Sequence, residues 1–417
     1  MSLKVVALMV AVLAASAPVV WADWPQFLGP SRDGIVHDAE ALPREWPTGG
    51  PKVLWSLPVG AGFAGPAIYG DSVLILDRED DARDVIRRLR LADGEEVWRS
   101  AYDAPGKLDY NGSRTTPATD GELVFTIGPF GHIAAVRYTD GKPVWTAHLL
   151  KDWEAKRPNW GVAQSALLMG NWVIVAPWGK KAALVAYAKD SGEVIWATAN
   201  ADGIDQDYQS PVPMELGGRQ TIVAIGKKGY TLGVDARTGR PLWKYNDYAC
   251  NIHIPSPTIL SDGRILLTGG YGAGGAMFQV ERQGNRYVTR TLWKNKSMGS
   301  KIPQALVHDG YVYGNSSDTR GGLRCITPEG EVKWETGNRP GFDMGYLILI
   351  DGFIFIVNGA NGELVMAEAT PDGYRELGRA PVLSGKQVWG PLAYSDGKLV
   401  LRDQTTLVCL DLKASAE

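Results

Sequence analysis

The chain has 417 residues, 45% of them hydrophobic, with 43 basic against 46 acidic side chains and a formal net charge of −3. That much apolar material excludes a disordered chain, and the lack of a basic excess leaves no electrostatic footprint for nucleic acid. It contains 50 Gly, 25 Pro and 15 Trp, a turn-dense composition without the Gly-X-Y period of collagen.

At the N-terminus, Lys4 precedes the apolar run from Val5 to Ala17. The run is far shorter than the ~20 residues a spanning helix needs. A short apolar run behind a positive charge predicts an export signal over residues 1–22, with cleavage after Ala22. No Cys stands near that site, so the mature chain is expected to carry no lipid anchor. No other stretch is apolar enough to cross a membrane as a helix. The expected location is periplasmic or extracellular, with residues 23–417 forming one domain.

Next in the chain come a strand-like VLWSLPV around Trp55 and then a repeat with two signatures. One is Gly-x-x-x-Trp, at Gly94–Trp98, Gly141–Trp145, Gly192–Trp196, Gly239–Trp243 and Gly330–Trp334. Gly373 to Leu377 keeps the spacing with Leu in place of Trp, and Trp293 ends a longer variant. The other is a hairpin centred on Asp-Gly, as at Asp120-Gly121, Asp309-Gly310, Asp351-Gly352 and Asp396-Gly397, or on a related pair such as Gly70-Asp71. Such pairs tolerate the positive φ of tight hairpins. The flanks, as in LILIDGFIFIV, read as strands. Hairpins and final strands both count to eight only if the Trp55 strand completes the last copy. The prediction is therefore an all-β, eight-bladed propeller of four-stranded antiparallel blades, closed by an N-terminal strand in the C-terminal blade. Each Trp is expected to fill the wedge between neighbouring blades. Cys325 and Cys409 share a slot that other copies fill with Ala135, Ala186 and Gly233, so they read as small core residues.

The turn DARTGRPLW at 235–243, with AKDSGEVIW, LADGEEVW and YTDGKPVW, resembles the pyrroloquinoline-quinone-type (PQQ-like) propeller repeat. The opening DWPQFLGPSRDG, with NWGVAQSALL, YGAGGAM and LRDQTTLVCLDL, is similar to an exported bacterial branch of that family. More distantly the repeat resembles quinoprotein alcohol dehydrogenases and the propeller lipoprotein of the outer-membrane β-barrel assembly machinery. The dehydrogenase resemblance implies PQQ held against a vicinal disulfide, with calcium and a catalytic Asp. The only cysteines are Cys250, Cys325 and Cys409, so no vicinal pair exists and no cofactor is expected. His37, His132, His148, His253 and His308 are scattered, with no metal-ligand spacing. Neither a phosphate loop nor a nucleophile elbow is present.

Function is then expected where the innermost strands begin, at one mouth of a central channel. The residues placed there are Arg114, Gln164, Gln209, His253, Gln304, Asp343 and Trp389, a polar ring with one aromatic. The competing reading is a water-lined channel. Asp343 is the candidate base if a quinone lies beside it. Loop aromatics Tyr110, Trp153, Trp160 and Tyr208 extend a partner face or anchor buried loops. The expected function is binding without catalysis, the partner being a protein, a small molecule or a glycan. A quinoprotein oxidoreductase and a structural subunit of an envelope assembly complex are the alternatives.

Overall fold

A computed structural model of the protein describes residues 23–318 and 322–414, so the expected export signal lies outside the described residues. Eight antiparallel sheets form the blades of a propeller. Blade 1 consists of Ala67–Tyr69, Ser72–Glu79, Arg83–Arg90 and Glu96–Asp103, in that order from the axis outward. Blades 2 to 7 span 118–148, 167–198, 212–245, 258–295, 306–335 and 347–381. Blade 8 takes three strands from 393–411 and its outermost strand from Lys52–Pro58, with Trp55 opposite Cys409. Asp309-Gly310, Asp351-Gly352 and Asp396-Gly397 have positive φ at both residues, the conformation their hairpins require.

The repeat signature turns out to be a contact between neighbours. The outer strand bulges just before its Trp, turning the indole toward the following blade. There the ring lies against that blade's repeat glycine. A Cβ on Gly141 would sit 2.6 Å from the Trp98 ring, and one on Gly192 2.7 Å from the Trp145 ring. The indole N–H then donates to a carbonyl just before the same glycine: Trp55 to Leu91 at 2.9 Å, Trp98 to Tyr138 at 2.8 Å, Trp145 to Lys189 at 2.6 Å. Trp196, Trp293 and Trp334 repeat the bond to Ala236, Pro328 and Thr370. Opposite Trp145, Trp196, Trp243 and Trp334 on the adjoining strand stand the small-slot residues Ala135, Ala186, Gly233 and Cys325, whereas Trp98 faces Arg88 and Trp293 faces Met277. The cysteines are buried and free.

Two blades deviate. The outer hairpin of blade 5 extends to Gly274–Gln283 and Arg286–Asn295, replacing the repeat turn, and the buried Trp243 Nε1 is left without an acceptor. In blade 7 the register places Gly378, rather than the Leu377 expected from the repeat spacing, where other blades have Trp. Trp46 from the N-terminal connection packs there instead, against Gly378 and with its ring 6.2 Å from Phe355.

The channel itself is plugged, which the repeat arithmetic does not foresee. Residues Asp23 to Val36 wind across the axis and bond to the inner strands of blades 1, 2, 3, 4, 6 and 7. Trp24 exchanges two bonds with Ile68, and Ile35–Val36 adds a parallel strand to the inner edge of blade 7. At its centre Arg32 is 1% exposed and has no carboxylate partner among the described residues. Its guanidinium donates to the carbonyls of Pro211 at 2.8 Å and of Ser165 and Ala166, and to Gln26 Oε1 at 3.2 Å. Loss of water lowers its pKa to about 9, so it remains a cation at neutral pH.

Candidate functional site

The approach to each inner strand is extended, so side chains alternate between the axis and the blade interior. The axis-facing positions are Phe63, Arg114, Ala163 and Tyr208 from the approaches to blades 1 to 4, and Ile254, Ile302, Met344 and Trp389 from those to blades 5 to 8. Two residues further on, Ser210, Ser256, Tyr346 and Pro391 face the axis again. Hydrogen bonds bind this second tier between blades: Thr116 N–H to Ser165 Oγ at 3.0 Å, Ser165 N–H to Ser210 Oγ at 2.9 Å, and Ser210 N–H to Ser256 Oγ at 3.2 Å. Together the tiers line a bowl of about 150 Å3, open to solvent above and floored by Phe27 of the plug.

Its wall is aromatic. Phe63 and Trp389 stack at 5.5 Å and 16°, and Trp160 and Tyr208 at 5.3 Å and 27°. Tyr110 bridges the two pairs, edge-on to Phe63 and to Trp160. Arg114 lies in this wall with its guanidinium 5.7 Å above Phe63, donating to the carbonyls of Gly112 and Tyr110. Burial lowers its pKa to about 10, so it is charged at neutral pH. No Asp or Glu among the described residues lines the bowl.

Of the seven residues expected to form the site, Arg114 and Trp389 line the bowl. Asp343 is exposed beside it and accepts the Trp389 indole N–H at 2.9 Å. Gln304 faces the axis lower down, where its amide donates to the Arg32 carbonyl at 3.2 Å. Gln164, Gln209 and His253 are turned away. Gln164 clasps the main chain of Ala176 through both amide atoms, at 2.8 and 2.7 Å. Gln209 is buried with both amide atoms unpartnered. His253 is fully buried against Tyr248, and burial pushes its pKa down to about 4. The structure thus replaces the expected polar ring on an open channel by an aromatic bowl over a plug. Each of these three residues stands one position from an axis-facing one, and a one-residue step exchanges the faces of an extended chain. Among the loop aromatics, Tyr110, Trp160 and Tyr208 join the bowl, whereas Trp153, half-buried against blade 3, donates its indole N–H to Tyr187.

A family profile described as outer membrane protein assembly factor BamB matches residues 46–157 and 129–373. The chain is 26% identical over 251 residues to a BamB of Vibrio cholerae, covering 47% of this chain and 60% of that one. To a BamB of Yersinia pestis it is 24% identical over 147 residues, 34% of this chain and 35% of that one. The matches span less than two thirds of either relative. Among solved structures, BamB from Moraxella catarrhalis superposes with a TM-score of 0.62 at 16% identity, covering 88% of this chain and 99% of that one. Quinohemoprotein alcohol dehydrogenase from Comamonas testosteroni superposes at 0.63 and 12% identity, covering 95% and 81%. At these identities the superpositions establish a shared fold.

Proposed function

The chain belongs to the family of PQQ-like propellers described as outer membrane protein assembly factor BamB, and on that premise we propose an exported envelope protein that works by binding a protein partner at its axial bowl. Residues 1–22 direct export in this reading, and 23–417 act as one domain. The observation that carries the proposal is convergence: the approaches to all eight blades each place one side chain around a single blind, aromatic depression. Stacked rings with an arginine among them are the composition that dominates binding energy at protein interfaces.

A binding role is favoured over quinone chemistry by what the axis offers. A centre of the dehydrogenase kind needs adjacent cysteines and a calcium ligand set. Cys250, Cys325 and Cys409 are separate and buried in the blades, and burial raises the Cys325 thiol to about 11 and that of Cys409 to about 12. No three His, Cys, Asp or Glu side chains converge among the described residues. The residues present therefore do not fit that cofactor pair.

The test is a photo-crosslinking residue at Ala163, in the bowl, compared with one at the exposed Val332 on the outer edge of blade 6. After irradiation of cell envelopes, a discrete protein adduct is expected from position 163 and none from 332. Equal labelling from both positions, or none from 163, contradicts the proposal.

A further inference from the structure

The bowl is more selective than an apolar depression, and its chemistry points to one kind of occupant. Resting on its reading as a protein-binding site, we propose that it receives the C-terminal end of a polypeptide chain, with an aromatic last residue among the stacked rings and its free α-carboxylate on Arg114.

Closure comes first. Phe27 and the segment behind it seal the bottom, so no strand can thread the axis. A chain end enters a blind funnel as one strand, whereas a loop must enter as two. The wall comes next: two stacked pairs joined edge-on by Tyr110 offer faces and edges to a further ring.

Polarity decides the rest. The one charged group is a donor, and the hydroxyls of Tyr110, Tyr208, Tyr271 and Tyr346 beside it donate or accept. Arg114 uses two of its five N–H groups on carbonyls, makes no ion pair among the described residues, and keeps three for a ligand. Its electrostatic neighbours are Tyr208, Arg78 and Arg157, none of them a carboxylate. Ser210 and Ser256 accept backbone N–H groups at Oγ, and their own O–H groups donate to no protein acceptor among the described residues. An uncharged ligand can answer the hydrogen bonds but leaves the charge unanswered, and a cation is repelled by it. One carboxylate on an aromatic body answers both the donors and the uncompensated positive charge.

The full chain is titrated with an uncharged six-residue peptide ending in phenylalanine, as the free acid and as the C-terminal amide. Arms with the phenylalanine moved to the third position, and with N-acetylphenylalanine alone, separate a chain end from an internal aromatic and from a small acid. The free acid is expected to bind at least about tenfold more tightly than the amide. Arg114→Gln should bring that ratio to about one, Arg114→Lys should keep part of it, and Trp389→Ala should weaken acid and amide alike. Melting curves of each variant confirm that it is folded. Equal affinity for acid and amide, or a ratio that survives Arg114→Gln, overturns the proposal. So does N-acetylphenylalanine binding as tightly as the peptide, or equal binding with the phenylalanine at the third position. If no peptide binds while position 163 still crosslinks a protein, this proposal fails and the bowl remains a binding site. If both experiments are negative, the bowl reading falls as well.

Discussion

A tryptophan of the repeat does two separable things: it fills the wedge between blades, and it gives its N–H to the next blade's turn. Trp145 has both roles, whereas the equally buried Trp243 has only the first. Trp145→Phe therefore strands the Lys189 carbonyl, and Trp243→Phe strands nothing. The first should cost about 1 to 2 kcal/mol more than the second in denaturant unfolding. Equal losses would show that the indole bond adds nothing to the packing. Asp207 gives a second prediction. It is 8% exposed, and burial raises its pKa to about 7, against which the His253 N–H at 3.0 Å acts only partly. A carboxyl with a raised folded pKa keeps its proton in the native state after the unfolded chain has lost it. Its contribution to stability is therefore full at about pH 4 and lost as pH rises toward 7. Asp207→Asn should match the native melting temperature near pH 4 and exceed it increasingly up to pH 7, then hold that gap. A gap independent of pH would contradict the assignment. At this scale the sequence is legible where a contact is repeated, as for the Trp and the small slot opposite it. The axis-facing set is not, because inside irregular approaches such as VAQSA the alternation has no phase mark: Gln164 and Ala163 look equally placed until the backbone is known.

The plug is the element that most changes the expected picture. Its composition carries no periodic signal, and its anchors are main-chain atoms of distant blades, so nothing local in DWPQFLGPSRDG announces where it lies. The one odd residue is Arg32, a cation surrounded by Phe27 and carbonyl oxygens. Its planar fork spans blades 3 and 4 in a way a lysine ammonium cannot. Arg32→Ala should destabilise the protein by about 3 kcal/mol, and Arg32→Lys should recover little of it, both read by denaturant unfolding. Full recovery by lysine would mean that charge alone, without the fork, holds the segment. The long hairpin of blade 5 shows the opposite kind of departure. Its missing repeat turn is visible in the sequence as NRYVTRTLW, and the consequence, an unpartnered Trp243 N–H, lies one blade away.

For the whole molecule the arithmetic of eight hairpins and eight final strands already implies a closed ring, because closure is a count and a count survives sequence divergence. The seam is reinforced by groups the count cannot reveal. Arg402 of blade 8 pairs with Asp77 of blade 1 at 3.0 Å, both side chains fully buried, and Asp77 also holds Arg87 at 2.6 Å. The seam belongs to the same core cluster as Trp55, Leu407 and Leu410, and that cluster includes Trp24 and Phe27 of the plug. The plug, the bowl floor and the blades at the seam thus share one core. Partner binding at the bowl is the central claim, and filling the bowl is the direct measurement. Ala163→Trp adds an indole to the bowl from an axis-facing position. The predicted result is an unchanged melting temperature with loss of partner binding; a folded variant that binds its partner as the native chain does would contradict the account.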